Sequence, residues 1–353
     1  MKKLIFFLIS FFILPLTTFA LDPDYDVTNM YVKANILANG NMDVKELIVL
    51  KGDFNGYERD LVYTNSNLKT YTPGNIDFSN SAIYNAKGIS NISIKGGKVS
   101  TISYDMLDTN SFTDFSLVSS AYNGDTNKYT QTTASNGYNI RMYDYTYSSK
   151  TAFLISYTVD NAVVIHNDVA ELYWTFIGSN FDDSIGDSII KVYLPSSDTS
   201  DYFRIWAHGD LSGDINFIED NNEKNGAVAT ISDLSANSQI DIRMTFNKSL
   251  ITGTNVKYSQ EDAFDKILEV EQQRANAANI ERERVKNLYY GEKYLTIVFY
   301  VALILAFIYV YNKFDKERKP QFQNKYNREF IDSYNVEVLD YLMHHDITPN
   351  AMS

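Results

Sequence analysis

The sequence predicts a mainly β, exported domain of antiparallel, sandwich-like construction, followed by a long charged stalk helix and one transmembrane helix. Three observations carry this. Short β-branched and aromatic runs recur from Ile140 to Phe246, broken by Asp, Asn, Gly and Pro, with no helical period between them. The stretch Leu295–Tyr311, LTIVFYVALILAFIYVY, has no charge and no Gly or Pro, and at 1.5 Å per residue it makes roughly 26 Å of helix, close to a bilayer's hydrocarbon thickness. The N-terminus pairs Lys2 and Lys3 with an apolar run from Leu4 to Leu16.

That N-terminal run ends in Thr18-Phe19-Ala20, a small-x-small site, so residues 1–20 read as a secretory signal peptide. An uncleaved anchor helix is the competing reading, and either one exports the domain downstream of it. The helix at 294–311 then acts as a stop-transfer segment with the C-terminus cytoplasmic. Basic residues flank it on both sides, Arg282, Arg284, Lys286 and Lys293 before it and Lys313, Lys316, Arg318 and Lys319 after it. The signal peptide, not the charge count, therefore sets the orientation.

Residues 21–256 form the exported β domain. Asp26–Asn39 and Asn41–Leu50 flank Asn39-Gly40, a dipeptide that tolerates the positive φ of a tight hairpin. In the second arm Met42, Val44, Ile48 and Leu50 share one parity, and Glu46 falls on the same face. A buried carboxylate there needs a partner, and Arg59 is the nearest basic candidate; the alternative is an unpaired Glu46 at a solvated sheet edge. Thr64–Asn139 is loop-heavy, with short strands such as Ile89–Ile94 and Val99–Tyr104. Strands are then expected at Ile140–Tyr147, Ala152–Tyr157, Ala162–His166, Ala170–Ile177, Ile189–Leu194, Phe203–Ala207, Ala227–Ile231 and Gln239–Phe246.

Residues 257–293 read as the stalk helix, opened by the capping box Ser259-Gln260-Glu261-Asp262 and thick with Glu, Arg and Gln. The tail, 312–353, holds a basic patch at Lys316–Pro320 and one helix-forming stretch, Asn335–His345. It is too short to build a domain alone.

Composition excludes several classes of chemistry. The chain has no Cys, so disulfides, thiolate metal sites and Cys nucleophiles are ruled out. From Leu21 to Tyr290 there are 36 Asp and Glu against 22 Lys and Arg, a surface that repels nucleic acid. His166 and His208 belong to no metal-binding motif, and neither a nucleophile elbow, a P-loop nor a dinucleotide fingerprint is present, so no cofactor is implied. Asp168 and Glu171 precede Leu172-Tyr173-Trp174, an arrangement open to two readings. It is either a saccharide site or, as favoured, a core Trp with Asp168 capping a turn. Asp182, Asp183 and Asp187, and Asp210, Asp214 and Asn216, do not fit EF-hand spacing and read as polar loop residues.

The exported part resembles a family of bacterial membrane proteins carrying the domain of unknown function 2207. The likeness rests on Gly40-x-Met42-x-Val44-x-Glu46, Phe54-x-Gly56 to Arg59-Asp60, Ala121–Tyr129, Tyr138–Tyr143 and Ile155-Ser156-Tyr157. Its most specific stretch is Asp168-x-Ala170-Glu171-Leu172-Tyr173-Trp174 with Ile177-Gly178, followed by Leu194-Pro195 and His208-Gly209. Phe181 departs from it where a Trp is expected. The resemblance covers roughly Asp26–Phe246 and implies a signal peptide, an exported β domain and a membrane helix, but no activity. Proteins of this type often continue into a larger cytoplasmic region, of which Asn327–Ser353 resembles the start. The family-motif residues Gly40, Glu46, Arg59, Asp168, Glu171, Trp174, Gly178 and His208 are candidates for a structural or a binding role.

The function expected is that of a membrane-anchored cell-envelope protein, held in the lipid bilayer through Leu295–Tyr311, whose β domain binds a protein or glycan partner without catalysis. A carboxylate-based hydrolase of envelope polysaccharide is one alternative. A subunit of a larger membrane complex is another, although the membrane helix lacks a small-xxx-small motif.

Overall fold

Apolar and polar residues alternate along both arms of the first hairpin, and that alternation builds the core. In the computed structural model, which describes residues 25–64, 76–79, 86–254, 256–315 and 336–344, β1 (Tyr25–Ile36) and β2 (Met42–Phe54) pair antiparallel across the Asn39-Gly40 turn. Gly40 sits at φ +84°, and a Cβ there would meet a Val256 methyl at 3.0 Å. The positive φ favours glycine, and a Cβ would also need the Val256 side chain to shift. The expected signal peptide at 1–20 and the basic patch at Lys316–Pro320 lie outside the described residues.

The described residues form three sheets. The largest takes eight strands in the order β14 (Asp214–Asp220), β15 (Glu223–Leu234), β12 (Ile185–Tyr193), β1, β2, β9 (Thr146–Asp160), β4 (Gly88–Val99) and β5 (Thr113–Asp114). A five-stranded sheet runs β13 (Arg204–His208), β16 (Ile240–Phe246), β11 (Ala170–Ile177), β10 (Val164–Ile165) and β17 (Lys257–Tyr258). The third sheet orders β3 (Tyr57–Val62), β8 (Gly137–Tyr143), β7 (Lys128–Thr133) and β6 (Ser116–Leu117). Pairing is mostly antiparallel, but β1 and β12 run parallel. The long stretch of chain between them permits a crossover that no local signal announces.

One apolar layer joins the sheets. It takes Met30, Val32 and Ala34 from β1, Ile48 and Leu50 from β2, Leu172, Trp174 and Phe176 from β11, and Ile242, Met244 and Phe246 from β16. Trp174 is buried, so it fills the core. The opposite parity of β11 and β16 carries Glu171, Tyr173, Asp241, Arg243 and Thr245. That face would read as solvated, yet it too is buried.

What covers it is the beginning of α1 (Phe264–Val310). This helix starts at Phe264, not at the capping box expected from Ser259, because its cap comes from a distant residue. The Asp168 carboxylate accepts the backbone N–H groups of Ala263 and Phe264, both at 2.9 Å. It satisfies two otherwise orphaned donors and sits at the positive end of the helix dipole. Asp168→Ala is expected to lower stability by about 1 kcal/mol, read as an earlier urea midpoint by circular dichroism. An unchanged midpoint would remove the capping role.

The chain divides into two compact units, one to Arg282 and one from Glu283. In the second, Leu295–Tyr311 lies on a helix that is exposed, long and apolar enough to cross a membrane. The short helix α2 (Val336–His344) falls where the tail predicts one.

Candidate functional site

Glu46 is not at a solvated edge. Its carboxylate is fully buried on the core face of β2 and accepts two bonds from Arg59 on β3, Nε to Oε2 at 2.8 Å and Nη2 to Oε1 at 3.2 Å. Tyr157 on β9 donates its hydroxyl to Oε1 at 2.7 Å, and Arg59 Nη2 also donates to the Phe176 carbonyl of β11 at 3.1 Å. One guanidinium thus ties all three sheets together. Burial opposes its charge, but the Glu46 carboxylate outweighs burial and holds the Arg59 pKa above the ordinary arginine value.

Beside this pair lies a groove of about 670 Å³. β3 forms one wall, and the end of β11 with the turn after it forms the other. Gly178 opens that turn, its carbonyl accepting the Phe181 N–H at 3.0 Å, and the turn presents Phe181, Asp182 and Asp183. Tyr25, Tyr57 and Phe181 meet as edge-on and tilted rings with centroids 6.1 and 6.4 Å apart. Tyr57 donates its hydroxyl to Asp183 at 3.2 Å. Burial, with Asp182 nearby, pushes the Asp183 carboxyl above the usual range, and burial with Asp183 pushes the Tyr25 phenol up to about 12. The groove is polar and aromatic, with carboxylates along both walls.

The other motif residues belong to a second, buried construction. Glu171 accepts from Arg243 Nε at 2.6 Å and shares a 3.0 Å bond with His166 Nε2, whose Nδ1 lies 2.7 Å from the Ser259 hydroxyl. Arg243 reaches on to Glu271 of α1 at 2.7 Å. Glu271 also bonds His208 Nε2 at 2.6 Å and Arg274 at 3.3 Å, and Arg274 donates to the Tyr173 hydroxyl at 2.8 Å. Side chains of Glu171, His166 and Arg243 are fully buried, so the network's interior end is closed to any substrate. At its other end Tyr173, His208, Glu271 and Arg274 line a separate cavity of about 600 Å³. Burial draws Lys257, two strands from Glu171, down to about 7 although the Glu171 charge opposes this.

Glu271 gives the network a pH dependence. Burial raises its pKa, but its bonds and charges with His208 and Arg243 outweigh burial and hold it below the ordinary 4.5. A depressed folded pKa means stability that is present above 4.5 and lost as pH falls through the folded value. Asp241 has the opposite sign, since burial raises its pKa and its charging costs stability as pH rises. Glu271→Gln is expected to flatten the fall in thermal midpoint between neutral and acid pH. An unchanged acid limb would exclude Glu271 as its source.

The structure thus brings Arg59, Trp174 and Gly178 to the groove, with Glu46 behind Arg59. It places Asp168, Glu171 and His208 in the helix-docking network, and Gly40 in a turn. Arg243 and Glu271 were not anticipated from the sequence. Each lies among charged residues of both signs, Asp241 near Arg243 and Arg274 near Glu271, so no local pattern marks the pair. Among the described residues no group of three His, Asp or Glu side chains has the arrangement of a metal site.

A family model described as predicted membrane protein (DUF2207) N-terminal domain matches residues 26–246. No match was found among curated proteins. Among solved structures, one described as a protease from Parabacteroides distasonis aligns at 7% identity and TM-score 0.35, covering 63% of this chain and 40% of that one. An M1 zinc metallopeptidase from Deinococcus radiodurans aligns at 6% identity and TM-score 0.32, covering 63% and 42%. The chain spans about two fifths of the length of these structures, and likeness at such scores carries no argument about activity.

Proposed function

Because the chain belongs to the DUF2207 family of predicted membrane proteins, we propose that it is a membrane-anchored binding protein of the bacterial cell envelope, exported by its signal peptide and anchored with a cytoplasmic C-terminus, whose β domain holds a partner without catalysis. The observation that supports this is the groove of about 670 Å³ between β3 and the turn after β11, where Tyr25, Tyr57 and Phe181 lie beside amide and carboxylate side chains. Rings flanked by polar groups are the usual lining of a recognition site. Glu171, which a hydrolase reading would make the test residue, is enclosed in the ion network and has no access to this groove.

Site-specific photocrosslinking in cells tests the proposal. A benzophenone side chain in place of Asp182, exposed in the groove, is expected to trap a discrete heavier adduct, while the same group in place of Glu219, exposed on β14, traps none. No adduct from the groove position, or equal adducts from both, would sink it. A second reading, a carboxylate-based hydrolase, draws support from Asp183, whose raised pKa beside Asp182 suits a general acid. It requires Asp183→Asn to abolish release of reducing ends from envelope polysaccharide by the full chain.

A further inference from the structure

The ladder between β3 and β8 determines where the backbone groups of β3 point. Tyr63 N–H bonds to the Asn136 carbonyl at 3.0 Å, which continues the register Tyr57↔Met142, Arg59↔Ile140 and Leu61↔Tyr138. Hydrogen-bonded pairs alternate in an antiparallel ladder, so Tyr57, Arg59 and Leu61 direct their N–H and C=O groups to β8. Those of Glu58, Asp60 and Val62 then point the other way. β3 is the terminal strand of its sheet, and among the described residues no strand pairs with this second edge.

The other terminal strands are shorter or irregular. β5, β6 and β17 are two residues long, β13 is five, and the edge strand β14 carries a register shift between Ile218 and Glu219. β3 is six residues, about 20 Å of regular strand, and every one of them lines the groove. The Arg59 bond to the Phe176 carbonyl places the end of β11 across from it.

Charge indicates the kind of strand that would fit. Glu58, Asp60, Asp182 and Asp183 line the groove against Arg59 and Arg141. Arg59 is neutralised by Glu46 behind it, and Arg141 by Glu58 at 2.6 Å. Asp60, Asp182 and Asp183 are left without a cationic partner among the described residues. Asp60 and Glu58 share the solvent face of β3, where residues on an added strand would sit directly opposite them.

We propose that the open edge of β3 is a strand-addition site, taking an extended segment of a partner protein with basic side chains at alternate positions. The inference rests on the groove being the binding site, and names what it binds. Main-chain bonds to Glu58, Asp60 and Val62 supply affinity, and the carboxylates supply selectivity for the basic residues.

The test uses the full chain in phosphatidylcholine nanodiscs and a short fluorescein-labelled peptide of alternating Lys and Thr, followed by fluorescence anisotropy. Saturable binding is expected, and an alternating Glu and Thr peptide should not bind. Two N-methylated forms of the Lys peptide, one methylated at every Lys amide and one at every Thr amide, should separate. One set of amides faces β3 and the other faces solvent, so one form loses at least about tenfold and the other binds as before. Val62→Pro removes an edge N–H without altering charge, and should cost a similar factor. If both methylated forms bind like the parent, or no Lys peptide binds, or the β3 edge instead joins two copies of this chain, strand addition by a basic partner is overturned. Crosslinking from position 182 would still report separately on whether the groove binds at all. The methylated pair keeps the test decisive even if Val62→Pro fails to fold.

Discussion

Arg243→Met is expected to destabilise the β domain by about 3–5 kcal/mol, the range for breaking a buried ion pair from one side. The side chain is fully buried between Glu171 on β11 and Glu271 on α1, at 2.6 and 2.7 Å. Removing it leaves two desolvated carboxylates with no cation between them, and loosens the helix start from the sheet it covers. Glu171 would keep His166, and Glu271 would keep His208 and Arg274, which sets the loss below that of a wholly stranded charge pair. Replacing Glu171, Arg243 and Glu271 together by Leu, Met and Leu should recover most of the loss, since an apolar set of similar volume avoids the desolvation cost. Equilibrium urea unfolding, followed by fluorescence of Trp174 and Trp206 on the two strands flanking β16, measures both variants. A loss under about 1 kcal/mol for the single variant would show that the network contributes little.

Arg59→Met is expected to cost about 3 kcal/mol for the same physical reason at a different place. Glu46 would keep only the Tyr157 hydroxyl in a fully buried position. Arg59→Lys should recover part of this, because an ammonium restores the charge but not the bidentate fork or the bond to the Phe176 carbonyl. A double-mutant cycle with Glu46→Met isolates the pair, and a coupling of at least about 2 kcal/mol is expected from residues in direct contact. Additive losses would place the value of Arg59 in its reach to β11 instead of in the ion pair.

How legible these two constructions were differs for a physical reason. Glu46 stood out because parity placed a carboxylate among Met42, Val44, Ile48 and Leu50, and its partner lay only thirteen residues on, in the next strand. The second construction left almost no local trace. Glu171, Tyr173 and Thr175 alternate with Leu172, Trp174 and Phe176, and Asp241, Arg243 and Thr245 alternate with Ile242, Met244 and Phe246. Such alternation is how a sheet with one wet face reads. The groove was invisible as well, since its walls come from β3 and from the turn after β11, over a hundred residues apart.

The β class, the apolar helix at Leu295–Tyr311 and the family are legible along the chain, because period, apolar length and motif are properties of contiguous residues. Which charges are buried, what pairs with them, and which strand edge has no partner strand among the described residues emerge only in three dimensions. Those depend on a helix start laid over the polar face of β11 and β16, and on sheet neighbours distant in the chain. Desolvation and strand pairing act through space, so residues that look solvated one at a time become, once covered, costly to lose.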